Sequence, residues 1–230
     1  MKPVLEVERL SFGYDRQRPV LSDISFSLVE NESVGIVGGN GAGKSTLIWC
    51  ALGLLKAHGK IRLFGNERSA DMRPRVGVVF QNSEDMLFMP TLLDDLILPL
   101  VNQGWSKRQA IERALQVLDQ LGIRSLAHRP ASQFSLGERK RASIAAALVE
   151  SPELLVLDEP TAELDGRATR QLTSLLRSLP ITRLITSHHL GFLRETSSRV
   201  LVLSAGTFIT EGSSSEILSN QELLQRAGLI

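Results

Sequence analysis

What most constrains the fold of this chain is the passage from Ser33 to Thr46. Ser33-Val34-Gly35-Ile36-Val37 is an apolar, strand-like run. It leads directly into Gly38-Gly39-Asn40-Gly41-Ala42-Gly43-Lys44-Ser45, followed by Thr46, and a helix is expected from Lys44 to about Leu55. A strand, a glycine-rich turn and a helix in that order fit the P-loop pattern. Glycines let successive backbone N–H groups turn toward phosphate oxygens, and the helix N-terminus adds the positive end of its dipole. On this pattern Lys44 reaches the β- and γ-phosphates of a nucleotide and the Ser45 hydroxyl ligates Mg²⁺.

A net charge of +1 over 230 residues gives no general pull toward nucleic acid or anionic membrane, so phosphate binding has to be local. That length suits one sizeable domain or two closely packed lobes. The single cysteine, Cys50, precludes an intramolecular disulfide, fits a reducing compartment, and reads as a buried thiol within the apolar stretch Leu47–Leu55. Met1-Lys2-Pro3 runs straight into Val4-Leu5-Glu6-Val7, without the apolar region of a signal peptide. No run of about 18 apolar residues is present. The nearest candidate, Leu92–Val101, is short and broken by Asp94, Asp95 and Pro99. Membrane contact is therefore expected only through a partner.

Strand signals recur at Val4–Leu10, Ile24–Val29, Lys60–Phe64 (turned by Gly65-Asn66), Arg75–Phe80, Leu154–Leu157, Leu184–Thr186 and Val200–Leu203. Between them, residues 91–150 read as helical. Ser106–Leu121 puts Ile111, Ala114, Leu115, Leu118 and Leu121 on one face, and Ser106 with Gln109 makes a capping box. An alanine-rich helix follows Leu136, another covers Arg167–Leu179, and the tail Ser214–Ala227 is helical. The expectation is a single α/β domain over 1–230, with 1–81 and 151–230 as a nucleotide-binding core and 82–150 as an inserted helical section.

Asp158-Glu159 closes the strand Leu154–Leu157 ahead of Pro160. Neighbouring strand residues point to opposite sides, so the two acids can divide the work at the carboxyl edge of the sheet, where open α/β sheets bind ligands. Asp158 is expected to orient Mg²⁺ and its waters, and Glu159 to polarise the water that attacks the γ-phosphorus.

Gln133-Phe134-Ser135-Leu136-Gly137-Glu138-Arg139 narrows the reaction. It resembles the Leu-Ser-Gly-Gly-Gln signature of ABC ATPases, with Phe134, Leu136 and Glu138 departing from it. The resemblance implies a P-loop NTPase core whose mixed β-sheet is flanked by helices, plus an antiparallel β subdomain and the inserted helical subdomain. It also implies that Ser135 and the Gly137 backbone of one subunit cap the γ-phosphate held by the P-loop of another. Further matches fall in the family's order. Tyr14 resembles the aromatic residue that stacks on adenine, and Gln81 the glutamine that meets Mg²⁺ and the attacking water. Ala162-Glu163-Leu164-Asp165 resembles the D-loop, with Glu163 where glycine is usual. His188 resembles the switch histidine at the γ-phosphate, with His189 in place of the usual aspartate.

Val78-Val79-Phe80-Gln81-Asn82-Ser83-Glu84-Asp85-Met86-Leu87-Phe88 is similar to the ATPases of energy-coupling factor (ECF) transporters, the cobalt- and nickel-uptake group above all. That similarity implies Mg-ATP as the bound species and a second ATPase subunit, as a homodimer or a heterodimer. It also implies a transmembrane coupling subunit, a membrane substrate-binding subunit, no nucleic-acid partner, and a peripheral place at the cytoplasmic face of the cell membrane. Met86, Leu87, Phe88, Met89, Leu92 and Leu93 either pack inside the helical section or receive the partner's helices. The cargo, a transition-metal ion or a vitamin such as biotin, is not written in these residues. Another ABC importer, or a soluble ABC ATPase without transport, is the alternative.

Overall fold

The computed structural model describes residues 2–15, 18–67, 74–82 and 86–230; Ser83-Glu84-Asp85 of the ECF-like stretch lies outside them. Strands β1 (Pro3–Phe12), β2 (Leu21–Val29), β4 (His58–Leu63) and β5 (Asn66–Glu67) form an antiparallel sheet in the order β2-β1-β4-β5. Strands β3 (Ser33–Val37), β6 (Val76–Val79), β7 (Leu154–Asp158), β8 (Thr182–Ser187), β9 (Arg199–Ser204) and β10 (Thr207–Ser213) form the second sheet, in the order β10-β9-β3-β8-β7-β6. Its neighbours are parallel except β10 against β9, so the sheet is mixed.

The parallel strands are apolar on both faces because each face has its own cover. Val37, Leu155, Leu157, Ile185, Val200 and Val202 join a core shared with the helical section. Their strand neighbours Val34, Ile36, Leu154, Val156, Leu184 and Leu201 join a second core, with α1 (Lys44–Ala51) and the antiparallel sheet. Strand alternation thus welds three layers through one sheet. Cys50 lies in the second core, fully buried.

The helical section comprises α2 (Leu92–Asn102), α3 (Lys107–Gln120) and α4 (Leu136–Leu148). The capping box of Ser106 and Gln109 is present. The inner face of α3 is turned slightly from expectation: Ala110, Ala114, Val117 and Leu118 are buried, while Ile111 and Leu115 are half-buried. Three other boundaries differ. Helix α1 stops at Ala51 because the chain turns at Gly53, where φ is +77°. After α5 (Gly166–Ser178), a short α6 (Leu190–Thr196) intervenes before β9. The tail is two short helices, α7 (Ser214–Ile217) and α8 (Gln221–Arg226), because Asn220 caps α8 rather than continuing α7.

Candidate nucleotide site

The order β3-β8-β7 places three carboxyl ends side by side. Val37 pairs with Ser187, and Thr186 pairs with Asp158. The P-loop leaves the first strand, His188 follows the second and Glu159 follows the third, so segments far apart in sequence meet at one sheet edge.

In the P-loop, Gly41 and Gly43 have φ of +77° and +104°, a region that glycine enters without steric penalty. A Cβ on Gly43 would lie 2.9 Å from Leu21 Cδ2, so bulk is excluded there as well. Lys44 is buried and its Nζ donates to the carbonyls of Gly38 (2.8 Å) and Gly39 (3.2 Å). The same ammonium stands 3.0 Å from Glu159 Oε1. The second carboxylate oxygen, Oε2, is 2.9 Å from His188 Nδ1 and accepts the His188 backbone N–H at 3.3 Å.

Simple alternation does not describe the acidic pair. Strand β7 ends at Asp158, and Glu159 has left it with a φ of +45°, a left-handed conformation uncommon for a side chain of this kind. Its N–H is held by β8, donating to the Thr186 carbonyl (3.0 Å) with Thr186 Oγ1 at 3.1 Å. Asp158 is buried behind it and its Oδ1 accepts from the Thr186 hydroxyl at 2.5 Å. Thr186 therefore orients both acids. It was visible in the sequence only as the end of an apolar strand.

These groups line a cleft of about 240 Å³ with Lys44, Ser45, Thr46, Gln81, Glu159 and His188 on its walls. Tyr14 belongs to an adjoining hollow. Its ring is 64% exposed, stands edge-on to Phe12, and its hydroxyl is 3.5 Å from Thr46 Oγ1. Ser135 and Gly137 are not among the residues lining this cleft. Ser135 is the N-cap of α4, its hydroxyl 2.8 Å and its N–H 2.9 Å from Glu138 Oε2. Those bonds from the Ser135 backbone and hydroxyl hold the Glu138 carboxyl below the usual carboxylate range.

Among the described residues no group of three or more His, Cys, Asp or Glu side chains is placed to hold a metal ion. Among the oxygen donors on the cleft's walls are the Ser45 hydroxyl and the Gln81 amide, beside the Glu159 carboxylate that Lys44 holds, with Asp158 behind. That sparse set suits Mg²⁺, which keeps waters and phosphate oxygens rather than filling an all-protein cage.

Residues 21–162 match the ABC transporter family. The chain belongs to that family. This ABC ATPase is 37% identical over 237 residues to the energy-coupling factor transporter ATP-binding protein EcfA of Carboxydothermus hydrogenoformans, covering 100% of this chain and 87% of the relative. It is 36% identical over 236 residues to the protein of the same name from Methanothermobacter thermautotrophicus, covering 98% and 76%. Among solved structures it resembles CbiO1 of Clostridium perfringens, described as part of the ABC transporter complex CbiONQ. The TM-score is 0.88 at 30% identity, over 100% of this chain and 96% of that one. The protein is an ATP-binding, ATP-hydrolysing transport ATPase of the P-loop fold. ABC ATPases work as dimers with membrane subunits. Among the described residues no helix is long and apolar enough to cross a membrane.

Proposed function

We propose that this ATPase drives uptake through an energy-coupling factor-type transporter, working from the cytoplasmic face of the cell membrane. Residues 1–81 and 151–230 form its nucleotide-binding core, and 82–150 form the helical section that meets the membrane partners. The cargo is a cobalt or nickel ion or a vitamin such as biotin. The observation that carries the reading is the buried Lys44–Glu159 pair at the mouth of the P-loop, with the exposed His188 ring on the second oxygen of Glu159. The two EcfA relatives and the CbiO1 likeness support the choice of transporter class.

On this reading the γ-phosphate takes Lys44 away from Glu159. The freed carboxylate accepts a proton from water as that water attacks the γ-phosphorus in line, and the bond to the β–γ bridging oxygen breaks to leave ADP and phosphate. His188 steadies the γ-phosphate and the carboxylate, and Gln81 positions the water. Mg²⁺, when bound, neutralises charge on the β- and γ-phosphate oxygens; Ser45 and Gln81 would hold it, with Asp158 orienting its waters. Tyr14 stacks on the adenine. Gly38, Gly39, Asn40, Gly41, Ala42, Gly43 and Thr46 complete the cradle, and Ser135 and Gly137 of a second copy close over the γ-phosphate. Nucleotide thus adds contacts only in the closed dimer, which is what couples turnover to the membrane partner.

Of the apolar group after Gln81, Leu87, Leu92 and Leu93 are buried and Met86 packs against the core. Phe88 is 74% exposed, and we assign it to the coupling subunit's surface. Co-purification with the membrane proteins encoded beside this chain tests the reading. Two ATPase copies per coupling subunit are expected, with turnover falling about 100-fold or more in Glu159→Gln. Near-normal turnover in that variant, or no membrane partner, rejects it.

A further inference from the structure

Lys140 is a residue of α4 with only 3% of its surface exposed. Its Nζ donates to the backbone carbonyl of Gln81 at 2.9 Å. Glu163 and Asp158 are the acidic groups whose charges act on it. Burial draws this ammonium below the usual lysine range, and those two carboxylates oppose the shift. Glu163 sits in the loop between β7 and α5, held at a φ of +66°. A single buried cation thus joins the helix that Ser135 opens to the carbonyl of Gln81, within the electrostatic reach of the two acids.

The other end of the same contact is equally close. A Cβ on Gly77 of β6 would lie 2.4 Å from the Ala147 carbonyl of α4, so strand and helix touch through bare backbone. Helix α4 is therefore fixed at two points along this segment, Ala147 against Gly77 of β6 and Lys140 against Gln81 just past the strand. Gln81 lies beyond the end of the strand, where no ladder bond determines where its side chain enters the cleft.

We infer that Lys140 is a positioning residue for ATP hydrolysis, setting the height of Gln81 in the nucleotide cleft and tying that height to α4. The inference rests on the role proposed above for Gln81.

A double-mutant cycle between Lys140→Met and Gln81→Ala tests it, read as Mg²⁺-dependent ATP turnover by the purified chain, with nucleotide affinity measured in parallel. Lys140→Met is expected to lower kcat about tenfold and raise the Mg²⁺ concentration for half-maximal rate. ATP affinity should stay within about twofold. On the Gln81→Ala background the same change is expected to cost less than about twofold, because the positioned group is already gone. Equal losses on both backgrounds, or an unchanged kcat in the single variant, overturn it. If Lys140→Met does not fold, Lys140→Gln goes through the same cycle with the same outcomes. A wild-type chain that fails to turn over ATP is seen before any variant is made; it sinks the ATPase reading and takes this one with it.

Discussion

The Glu159 carboxylate and the Lys44 ammonium stand 3.0 Å apart, each side chain only 7% exposed. The group proposed to activate water is thus occupied by the group proposed to grip phosphate. Nucleotide binding and release of the base become one event, because the γ-phosphate competes for the same ammonium.

Glu159→Gln should therefore act in opposite directions with and without nucleotide. Without it, Lys44 loses its charged partner but keeps the carbonyls of Gly38 and Gly39, so the expected loss is about 1–3 kcal/mol. With Mg-ATP the phosphates replace the carboxylate, and unhydrolysed nucleotide stabilises the variant above wild type. Thermal midpoints measured with and without Mg-ATP check this. An equal drop in both conditions would show that the pair is structural only.

The histidine after His188 has a separate task. His189 Nδ1 accepts the Phe192 backbone N–H at 3.0 Å and so caps α6. The cap requires an acceptor, which an aspartate supplies equally well. His189→Asp should leave the urea midpoint unchanged or raise it, and His189→Ala should cost about 1 kcal/mol. A variant series in which aspartate is as damaging as alanine would assign the residue another role.

How much of this was legible follows local chemistry. The strand-turn-helix of the P-loop and the Ser106 capping box are encoded by adjacent residues and form where the sequence sets them, and Asp158 ends β7 as expected. Strand β10 was not expected because its residues alternate between exposed and half-buried, leaving no apolar face to read. Lys140 stands in Glu138-Arg139-Lys140-Arg141, a run basic at the start of its helix, yet it is buried and its partner, the Gln81 carbonyl, comes from a distant part of the chain. The left-handed turn at Glu159 is set by β8 across the sheet, which neighbouring residues do not announce. Glu163 was legible in another way. Glycine is the expected residue there, and its φ of +66° is the reason.

Asp95 presents a different electrostatic problem. Its Oδ1 accepts the N–H groups of Phe88 and Met89, both at 3.1 Å, and thereby anchors the backbone that carries the exposed Phe88. Burial pushes the Asp95 carboxyl above the usual aspartate range, only partly offset by those two bonds, and Oδ2 has no hydrogen-bond partner among the described residues. A group raised on folding contributes stability below its unfolded value of about 4 and loses it as pH rises through the folded value. Asp95→Asn keeps an acceptor and cannot ionise. Its urea midpoint should gain on wild type as pH goes from 4 to 8, with the two closest at the acid end. A gap independent of pH would show that ionisation is not the cost.

Glu138 has the opposite sign. The Ser135 N–H and hydroxyl hold its carboxylate, so the carboxylate occupies the donors that the signature resemblance assigns to a second copy's γ-phosphate. Its depressed pKa means that the capping box contributes stability above about 4.3, lost as pH falls through the lower folded value. Glu138→Gln restores the family's usual residue and retains an acceptor for both bonds while removing the negative charge. It should be slightly less stable than wild type at pH 7, with the difference closing below pH of about 4. Its ATP-dependent self-association, measured by light scattering with Glu159→Gln in the background, should occur at a severalfold lower protein concentration. The direction follows from two anions no longer being brought together. An unchanged association would mean that Ser135 and Glu138 cap α4 and nothing more.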